Sequence, residues 1–452
     1  MYKILILIFL FVATFPLEEP KFLNISIKYN PENGFFTIPL SVGSNNEIFD
    51  VQIDTTSTNT WIPSPKFHYD VKKYDISKSS TGIISRRSFE LEDIEGTVFG
   101  KACYDTIRLD DITLDNFGFG LINEVDYKFN DYPQGKLGLG YNELDKENEN
   151  DFNLIKKLKN NSLIDKEEFI IDKFTNNLFI GNASSLFINL TRAVCPLIGK
   201  KQFSRKYRNS WGCLLTSFTS GFQYKISYYY DPKTYAGGPY FDGFEYIDEI
   251  KVNGLAIFDS SFKYISFPEA YLDIFNKTFL KDLGNICEKF GDLNSFYFIC
   301  YDVNASSISY RELDFIINGF TYRLRFENLF KKIKEGLYEL LVRFYKTKEN
   351  VFIFGNPFVY NFTISYDYEE KKITFYGGNS YTYDDLYNIA YNIYTFGNEK
   401  GGSSTSTWFD NVIFVIILLL ALGGGGGTYA YNHSQPNQSN RPNLLNQENN
   451  YF

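Results

Sequence analysis

The sequence contains few of the residues on which most hydrolases depend. Only two histidines occur among its 452 residues, His68 and His433, whereas serine and cysteine hydrolases normally need an imidazole base oriented by a carboxylate. No HExxH pattern and no paired CxxC motifs are present, so the common zinc sites are missing. These gaps argue against nucleophilic and metal-dependent hydrolysis, and we expect neither a metal nor a cofactor.

Sustained basic runs are missing as well. The formal net charge is -9, so nothing in the sequence attracts nucleic acid, and we expect no nucleic-acid partner. The stretch NFGFGLIN, Asn116 to Asn123, has two glycines but lacks a third glycine and a helix start. A dinucleotide or phosphate loop is therefore excluded there.

Aromatic residues, by contrast, are abundant. They form 19% of the sequence, with 45 Phe and 36 Tyr, and they favour strands over long helices. The chain also exceeds the roughly 250 to 300 residues at which a single core stops growing. The composition therefore predicts an all-β protein with two lobes.

Both ends of the chain carry apolar segments. Residues 1–17 place one lysine before an apolar run that is too short to span a bilayer, which predicts a secretory signal peptide. Residues 411–431 lack charge over a length of about 30 Å as a helix, which predicts one transmembrane helix, although five consecutive glycines weaken its second half. We expect a stalk over 379–410 and a disordered tail over 432–452.

These segments predict a protein of the secretory pathway, anchored in a membrane with its lobes luminal or extracellular, in a vacuole, a lysosome or at the cell surface. Cysteines can pair in such a compartment, and local spacing suggests Cys195 with Cys213 and Cys287 with Cys300, leaving Cys103, with the connectivity open. Glycosylation sequons favour the same compartment. Before the predicted membrane segment they lie at Asn24, Asn160, Asn182, Asn189, Asn276, Asn304 and Asn361.

An internal repeat carries the strongest functional signal. EIFDVQIDTTS places Asp54 after an alternating strand, and VNGLAIFDSSF places Asp259 after a similar strand. A second apolar stretch follows each aspartate, KLGLGY from Lys136 and VFIFGNPF from Val351. Two aspartates held close together share a proton, so the pair can act as base and acid on one water.

On these motifs the chain resembles the pepsin-like (family A1) aspartic endopeptidases over roughly residues 35–378. The resemblance implies two β-rich lobes, which we place at residues 23–190 and 191–378, with a cleft between them. It also implies that Asp54 and Asp259 lie at the bottom of the cleft, where they bind and activate the attacking water. Cys287 and Cys300 are placed like the disulfide of the family's second lobe.

The resemblance assigns roles to further residues. Thr55 and Ser260 match the hydroxyl residues that brace the two aspartate loops against each other. Trp61 matches the residue that packs beneath the flap, the hairpin that closes over the cleft, although a core residue is the alternative. Counting back from CYDT places the family's flap tyrosine at Asp93, with Gly96 as a second possible alignment.

The sequence departs from the family at the site itself. Thr56 and Ser261 occupy the two positions where the family has glycine, and a side chain there could displace each carboxylate. Phe262 replaces a hydroxyl residue that bonds the outer oxygen of the second aspartate, whereas Ser57 fills the matching position in the first lobe.

We therefore expect a monomeric, membrane-tethered endopeptidase that cuts extended peptides or proteins at apolar residues in acidic conditions. An inactive member of the fold that binds peptides or another protein is the first alternative, because both glycines are lost. A surface β-protein with a purely structural repeat is the second.

Overall fold

The computed structural model describes most of the chain between residues 21 and 377. The described residues are 21–30, 34–92, 94, 96–126, 133–141, 151–188, 190, 192–199, 203–207, 210–219, 222–231, 236–246, 249–281, 283, 286–301 and 312–377. All of them belong to one compact unit, and a second unit, Leu386–Phe452, lies wholly outside the description. The predicted signal peptide, stalk, membrane segment and tail also lie outside it, as does Asp93.

Strands dominate the first half of the chain. They are β1 (Phe22–Ser26), β2 (Lys28–Asn30), β3 (Phe35–Val42), β4 (Glu47–Asp54), β5 (Trp61–Pro63), β6 (Ile83–Glu92), β7 (Thr97–Leu109), β8 (Ile112–Val125), β9 (Lys136–Gly138), β10 (Glu168–Asp172) and β11 (Asn177–Gly181). Helix α1 (Leu154–Asn160) begins after Asn153, whose side chain accepts a hydrogen bond from the backbone of Lys156.

Strands dominate the second half as well. They are β12 (Arg192–Pro196), β13 (Gly212–Thr219), β14 (Phe222–Asp231), β15 (Ala236–Tyr246), β16 (Ile250–Phe258), β17 (Ile265–Pro268), β18 (Cys287–Gly291), β19 (Ser295–Cys300), β20 (Leu313–Ile317), β21 (Phe320–Leu324), β22 (Phe330–Lys334), β23 (Leu337–Tyr345), β24 (Val351–Phe354), β25 (Thr363–Asp367) and β26 (Lys372–Tyr376). Three short helices lie between these strands: α2 (Leu272–Thr278), α3 (Phe326–Leu329) and α4 (Asn356–Val359).

Three large sheets contain all of these strands except β14 and β15, which pair with each other. An eight-stranded sheet in the order β2-β3-β4-β9-β5-β8-β7-β6 forms the first half, and a ten-stranded sheet built around β16, β17, β23 and β24 forms the second. A six-stranded sheet in the order β1-β11-β10-β25-β26-β12 takes strands from both halves and joins them. The prediction of an all-β, two-lobed architecture is confirmed.

The internal repeat of the sequence is a repeat of topology. In the first half β4 pairs in parallel with β9, which sets Asp54 beside Gly138. In the second half β16 pairs in parallel with β24 in the same way, with Phe258 beside Phe354. Each aspartate therefore stands where a strand ends next to the apolar stretch that follows it about eighty to ninety residues later in the chain.

Buried aromatic side chains fill the core of the second half. Phe354 and Phe358 each lie within ring contact of Phe258 and Phe315, for example Phe315 and Phe354 with ring centroids 4.8 Å apart in an edge-to-face arrangement. Such pairs stabilise a core beyond the area they bury. This packing anchors β16 and β24, the strands that carry the second aspartate loop.

Two disulfides pair the cysteines as the local spacing suggested. Cys195 is bonded to Cys213 and Cys287 to Cys300, while Cys103 is a buried free thiol. In the described part of the chain, no helix has the length and apolar character needed to cross a membrane. The predicted membrane segment, 411–431, lies outside that part of the chain.

Candidate active site

The two predicted catalytic aspartates are both buried at strand ends. Asp54 is the last residue of β4 and Asp259 follows β16 directly. Their backbones continue the parallel pairing, because the Asp54 carbonyl accepts from the Leu139 amide at 2.7 Å and the Asp259 amide donates to the Phe354 carbonyl at 2.9 Å. The neighbouring strand of each half therefore fixes where its aspartate lies.

Hydrogen bonds tie the two aspartate loops to each other. The Thr55 hydroxyl donates to the Phe258 carbonyl at 2.7 Å, and the Ser260 hydroxyl donates to the Ile53 carbonyl at 2.7 Å. The Ser260 amide in turn donates to the Thr55 hydroxyl at 3.0 Å. The structure thus places Thr55 and Ser260 in a reciprocal contact between the halves, and all of these groups are buried.

The residues at the two family glycine positions bond the carboxylates directly. Oδ1 of Asp54 accepts from the amide and the hydroxyl of Thr56, at 2.8 and 2.7 Å, and from the Ser57 amide at 3.1 Å. Oδ1 of Asp259 accepts from the amide and the hydroxyl of Ser261 at the same two distances, 2.8 and 2.7 Å. Hydrogen bonds of this kind favour the ionised form of a carboxylate.

Glycine is required at the ends of the two neighbouring strands, at Gly138, the last residue of β9, and at Gly355, which follows β24. A Cβ on Gly138 would come within 2.6 Å of backbone atoms of Thr58 and Asn59, in the loop after Asp54. A Cβ on Gly355 would come within 2.3 Å of the carbonyl oxygens of Phe262 and Tyr264, in the loop after Asp259. The backbone approach that needs a residue without a side chain therefore occurs at these positions.

Lys136 is a site residue that the sequence analysis missed. It is the first residue of β9, pairs with Gln52 on β4, and its side chain is 1% exposed. Its Nζ lies 3.2 Å from Oδ2 of Asp54, which is itself 0% exposed, and 3.4 Å from the Ser261 hydroxyl. A lysine inside the otherwise apolar stretch KLGLGY is the signal that could have revealed it.

The outer oxygen of Asp54 thus faces a cation.

Ser57 and Phe262 occupy the two positions where the family has a hydroxyl that bonds the outer oxygen of an aspartate. The Ser57 hydroxyl lies 3.2 Å from both the amide and the carbonyl of Asn59. Phe262 is buried and packs against Tyr264 and the Arg343 guanidinium. Its side chain has no hydroxyl with which to bond a carboxylate.

A buried tyrosine lies near the second aspartate. Tyr366 on β25 is fully buried, burial raises its pKa, and the negative charge of Asp259 raises it further. Tyr366 therefore stays neutral at the site over the whole working range of pH.

The Gln52 side chain adds a further contact between the halves, because its amide nitrogen donates to the Ser261 carbonyl at 2.8 Å.

The flap region is described in part. Strands β6 and β7 form a hairpin in which Glu92 pairs with Thr97, and Gly96 has φ +155°, a conformation that favours glycine. Trp61 is buried in a cluster with Phe67, and its indole N–H has no hydrogen-bond partner among the described residues.

No group of three or more His, Cys, Asp or Glu side chains in the described ranges is arranged to share one metal ion. The chemistry available at this site is that of two buried carboxylates, a buried ammonium and the hydroxyls around them. Such a set can take a proton from water and return one to a leaving group.

Comparison with known proteins agrees with this site. A family model for eukaryotic aspartyl proteases matches residues 35–177. The acid protease of Saccharomycopsis fibuligera is 24% identical over 363 residues, which cover 77% of this chain and 82% of that protein. Pepsin A-5 of Mus musculus is 31% identical over 129 residues and plasmepsin VIII of Plasmodium berghei (strain Anka) is 34% identical over 134.

The last two matches cover 33% and 36% of those proteins, so this chain spans about a third of their length. The repeated topology, the paired aspartate loops and these similarities all agree with the two-lobed, two-aspartate fold that the sequence predicts. The chain is thus similar to the pepsin-like (family A1) aspartic proteases, and it differs from them at most positions.

Proposed function

We propose that the chain is a membrane-anchored aspartic endopeptidase that hydrolyses peptide bonds in peptides or proteins through Asp54 and Asp259. The observation that carries the proposal is the reciprocal bracing of the two aspartate loops by Thr55 and Ser260. Water activation by two carboxylates depends on their relative position, because small displacements at reacting atoms cost heavily in rate. A brace of this kind supports a working pair.

The proposed mechanism uses the two carboxylates unequally. We assign the base to Asp259, to which the amide and the hydroxyl of Ser261 donate, and we assign Asp54 to the carboxyl that pairs with Lys136. The base takes a proton from the attacking water, and the same carboxyl later returns it to the leaving amine. No metal or cofactor takes part in this scheme.

One observation favours a second candidate, a catalytically silent protein that binds peptides. Oδ2 of Asp54, the oxygen that faces Lys136, is buried, and so is the lysine. A water that both carboxylates activate would have to share this position with the ammonium. If the ammonium blocks that water, the chain keeps the fold and the cleft without the chemistry.

The proposed location is the secretory pathway, with a signal peptide at 1–17, lobes at 23–190 and 191–378, and a membrane anchor at 411–431. The two disulfides support it, since such bonds persist in oxidising compartments. Sequon residues Asn24, Asn160 and Asn276 are exposed, which suits glycan attachment.

Cleavage of a denatured protein by the purified full-length chain tests the proposal. The wild type, Asp54→Asn and Asp259→Asn are compared between pH 3 and 8 by mass spectrometry of the fragments. Asp172→Asn is the matched control, because Asp172 is a buried aspartate away from the site that accepts from Thr175 and Thr363. We expect new fragments with the wild type and the control alone. Equal fragment yields from all four proteins would refute the proposal.

A further inference from the structure

The buried lysine at the candidate site is the feature that the family resemblance does not explain. Lys136 reaches Asp54 because β9 lies beside β4 in parallel register. An ammonium loses its hydration when it is buried, so it persists in the interior only with a charged partner and further hydrogen bonds. Its partners include Oδ2 of Asp54 at 3.2 Å and the Ser261 hydroxyl at 3.4 Å.

The position of the ammonium links the two carboxylates. The Ser261 hydroxyl that lies near Lys136 also donates to Oδ1 of Asp259. The ammonium therefore bonds one aspartate directly and approaches the other through a single hydroxyl. A proton shared between two aspartates would hold a comparable bridging position.

The charges of the site show what such an ammonium does. Two carboxylates that share one proton carry a net charge of about -1, and this is the form in which a pepsin-like dyad works. Two ionised carboxylates with one ammonium carry the same net charge. A carboxylate partner favours the charged form of a lysine, which keeps its proton in less acidic conditions than a carboxyl does, whereas the shared proton of a pepsin-like dyad is lost near pH 5.

We propose that the Lys136 ammonium replaces the shared proton of the dyad, so that peptide hydrolysis at this site extends to neutral pH. This inference rests on the proposed endopeptidase function and changes its acid requirement. Lys136 acts through Asp54 and is therefore a positioning residue.

The other groups that face the ammonium agree with this assignment. Asp54 on β4 and Asp259 after β16 are the carboxylates, and the Thr56 and Ser261 hydroxyls that donate to them favour their ionised forms. Tyr366 on β25 is neutral, because burial and Asp259 both raise its pKa. A neutral tyrosine adds no charge to the count.

The proton balance closes with the lysine in place. Water forms a bond to the substrate carbonyl carbon and gives a proton to Asp259, while the carbonyl oxygen takes a proton that Lys136 supplies through Oδ2 of Asp54. The carbon–nitrogen bond then breaks, the amine takes the proton from Asp259, and a hydroxyl of the tetrahedral intermediate returns a proton to Lys136. All three groups recover their starting charges.

The test compares full-length wild type with Lys136→Met, which removes the charge and keeps an unbranched side chain. The readout is kcat/KM for a fluorogenic peptide between pH 3 and 8. We expect the wild type to retain activity at pH 7, whereas Lys136→Met falls about a hundredfold between pH 4 and 7, because its dyad again needs a shared proton.

Lys166→Met is the matched control. Lys166 pairs with Glu168 at 3.0 Å and Asp367 at 2.7 Å in the six-stranded sheet, so its replacement also removes a buried-carboxylate ion pair but not at the site. We expect its pH profile to follow the wild type. Identical profiles for Lys136→Met and the wild type would overturn the inference. If Lys136→Met cleaves the peptide in acid and the wild type does not cleave it at any pH, the inference is also wrong, and the ammonium prevents the attacking water from binding.

A stability measurement separates this inference from the proposed function. Melting temperatures at pH 7 are compared for the wild type, Lys136→Met, Asp54→Asn and the double variant. We expect the double variant to melt above Lys136→Met, because a buried carboxylate without its ammonium is unfavourable. If the melting-temperature changes of the two single variants simply add in the double variant, Lys136 and Asp54 do not form the ion pair, and the inference is wrong even where cleavage is seen. If the ion pair holds but no variant cleaves at any pH, the proposed function fails and the catalytic inference fails with it.

Discussion

The brace between the two aspartate loops predicts an unusually large effect for a single isosteric change, Thr55→Val. The hydroxyl of Thr55 donates to the Phe258 carbonyl at 2.7 Å and accepts from the Ser260 amide at 3.0 Å. Valine fills the same volume but leaves both buried groups without this partner. Each such loss costs about 1 to 3 kcal/mol, so we expect the free energy of unfolding to fall by about 2 to 6 kcal/mol.

Two further variants set the scale for this prediction. Ser260→Ala removes one buried bond, the donation to the Ile53 carbonyl at 2.7 Å, and should cost about half as much, roughly 1 to 3 kcal/mol. Thr216→Val removes one hydroxyl–carbonyl bond within the second lobe, at a half-buried position 2.8 Å from the Ile316 carbonyl, and should cost about 1 kcal/mol.

Urea unfolding followed by tryptophan fluorescence measures these differences from the midpoints, provided that the denaturant slopes agree. The order Thr55→Val, then Ser260→Ala, then Thr216→Val is the expected result. A Thr55→Val variant no less stable than Thr216→Val would refute the argument that the brace is a coupled, buried contact.

Three other predictions concern the site and its surroundings. Gly355→Ala should destabilise the fold by more than about 2 kcal/mol in the same urea assay, because its Cβ would come within 2.3 Å of two carbonyl oxygens; a loss below 0.5 kcal/mol would contradict this. Burial raises the pKa of the Cys103 thiol to about 11, helped by the charge of Asp105. Iodoacetamide at pH 8 should therefore leave the native chain unmodified and label one thiol per chain after denaturation without reductant, and labelling of the native chain would count against it. Ser261→Gly removes a donor to Asp259, so the acidic limb of the kcat/KM profile should move up by about 1 to 2 pH units, and an unmoved limb would show that this hydroxyl does not favour the ionised carboxylate.

The Cys103 thiol also implies a dependence of stability on pH. Its pKa is raised from 9.0 in the reference state to about 11 in the folded chain. The unfolded thiol therefore ionises first, and the stabilisation is present below pH 9 and is lost as the pH rises toward 11. Cys103→Ala should show a weaker loss of melting temperature over this interval than the wild type.

Much of the architecture could be predicted because it follows from local pattern. Alternating and apolar stretches around Asp54 and Asp259 predicted strands that end at an aspartate, and the repeat predicted two similar halves. The cysteine pairs could be suggested from short spacings, since Cys287 and Cys300 lie on adjacent antiparallel strands. Local sequence is sufficient for such features.

The parts that could not be predicted depend on register and side-chain direction. Lys136 contacts Asp54 because β9 pairs with β4 at one particular register, and nothing in the sequence specifies that register between stretches eighty residues apart. The hydroxyls of Thr56 and Ser261 donate to the carboxylates. The sequence shows only that these residues stand where the family has glycine, and it does not show the direction of their side chains. The flap position at Asp93 lies outside the described residues and stays a prediction.

The most direct test of the account is the ratio of kcat/KM between the wild type and Asp259→Asn, measured on full-length protein with one peptide at the pH optimum of the wild type. If Asp259 is the base that activates water, the ratio should be about a thousandfold, while Asp172→Asn, the buried control, should stay close to the wild type. A ratio near one, with both variants folded, would contradict the claim that the two aspartates form a catalytic pair.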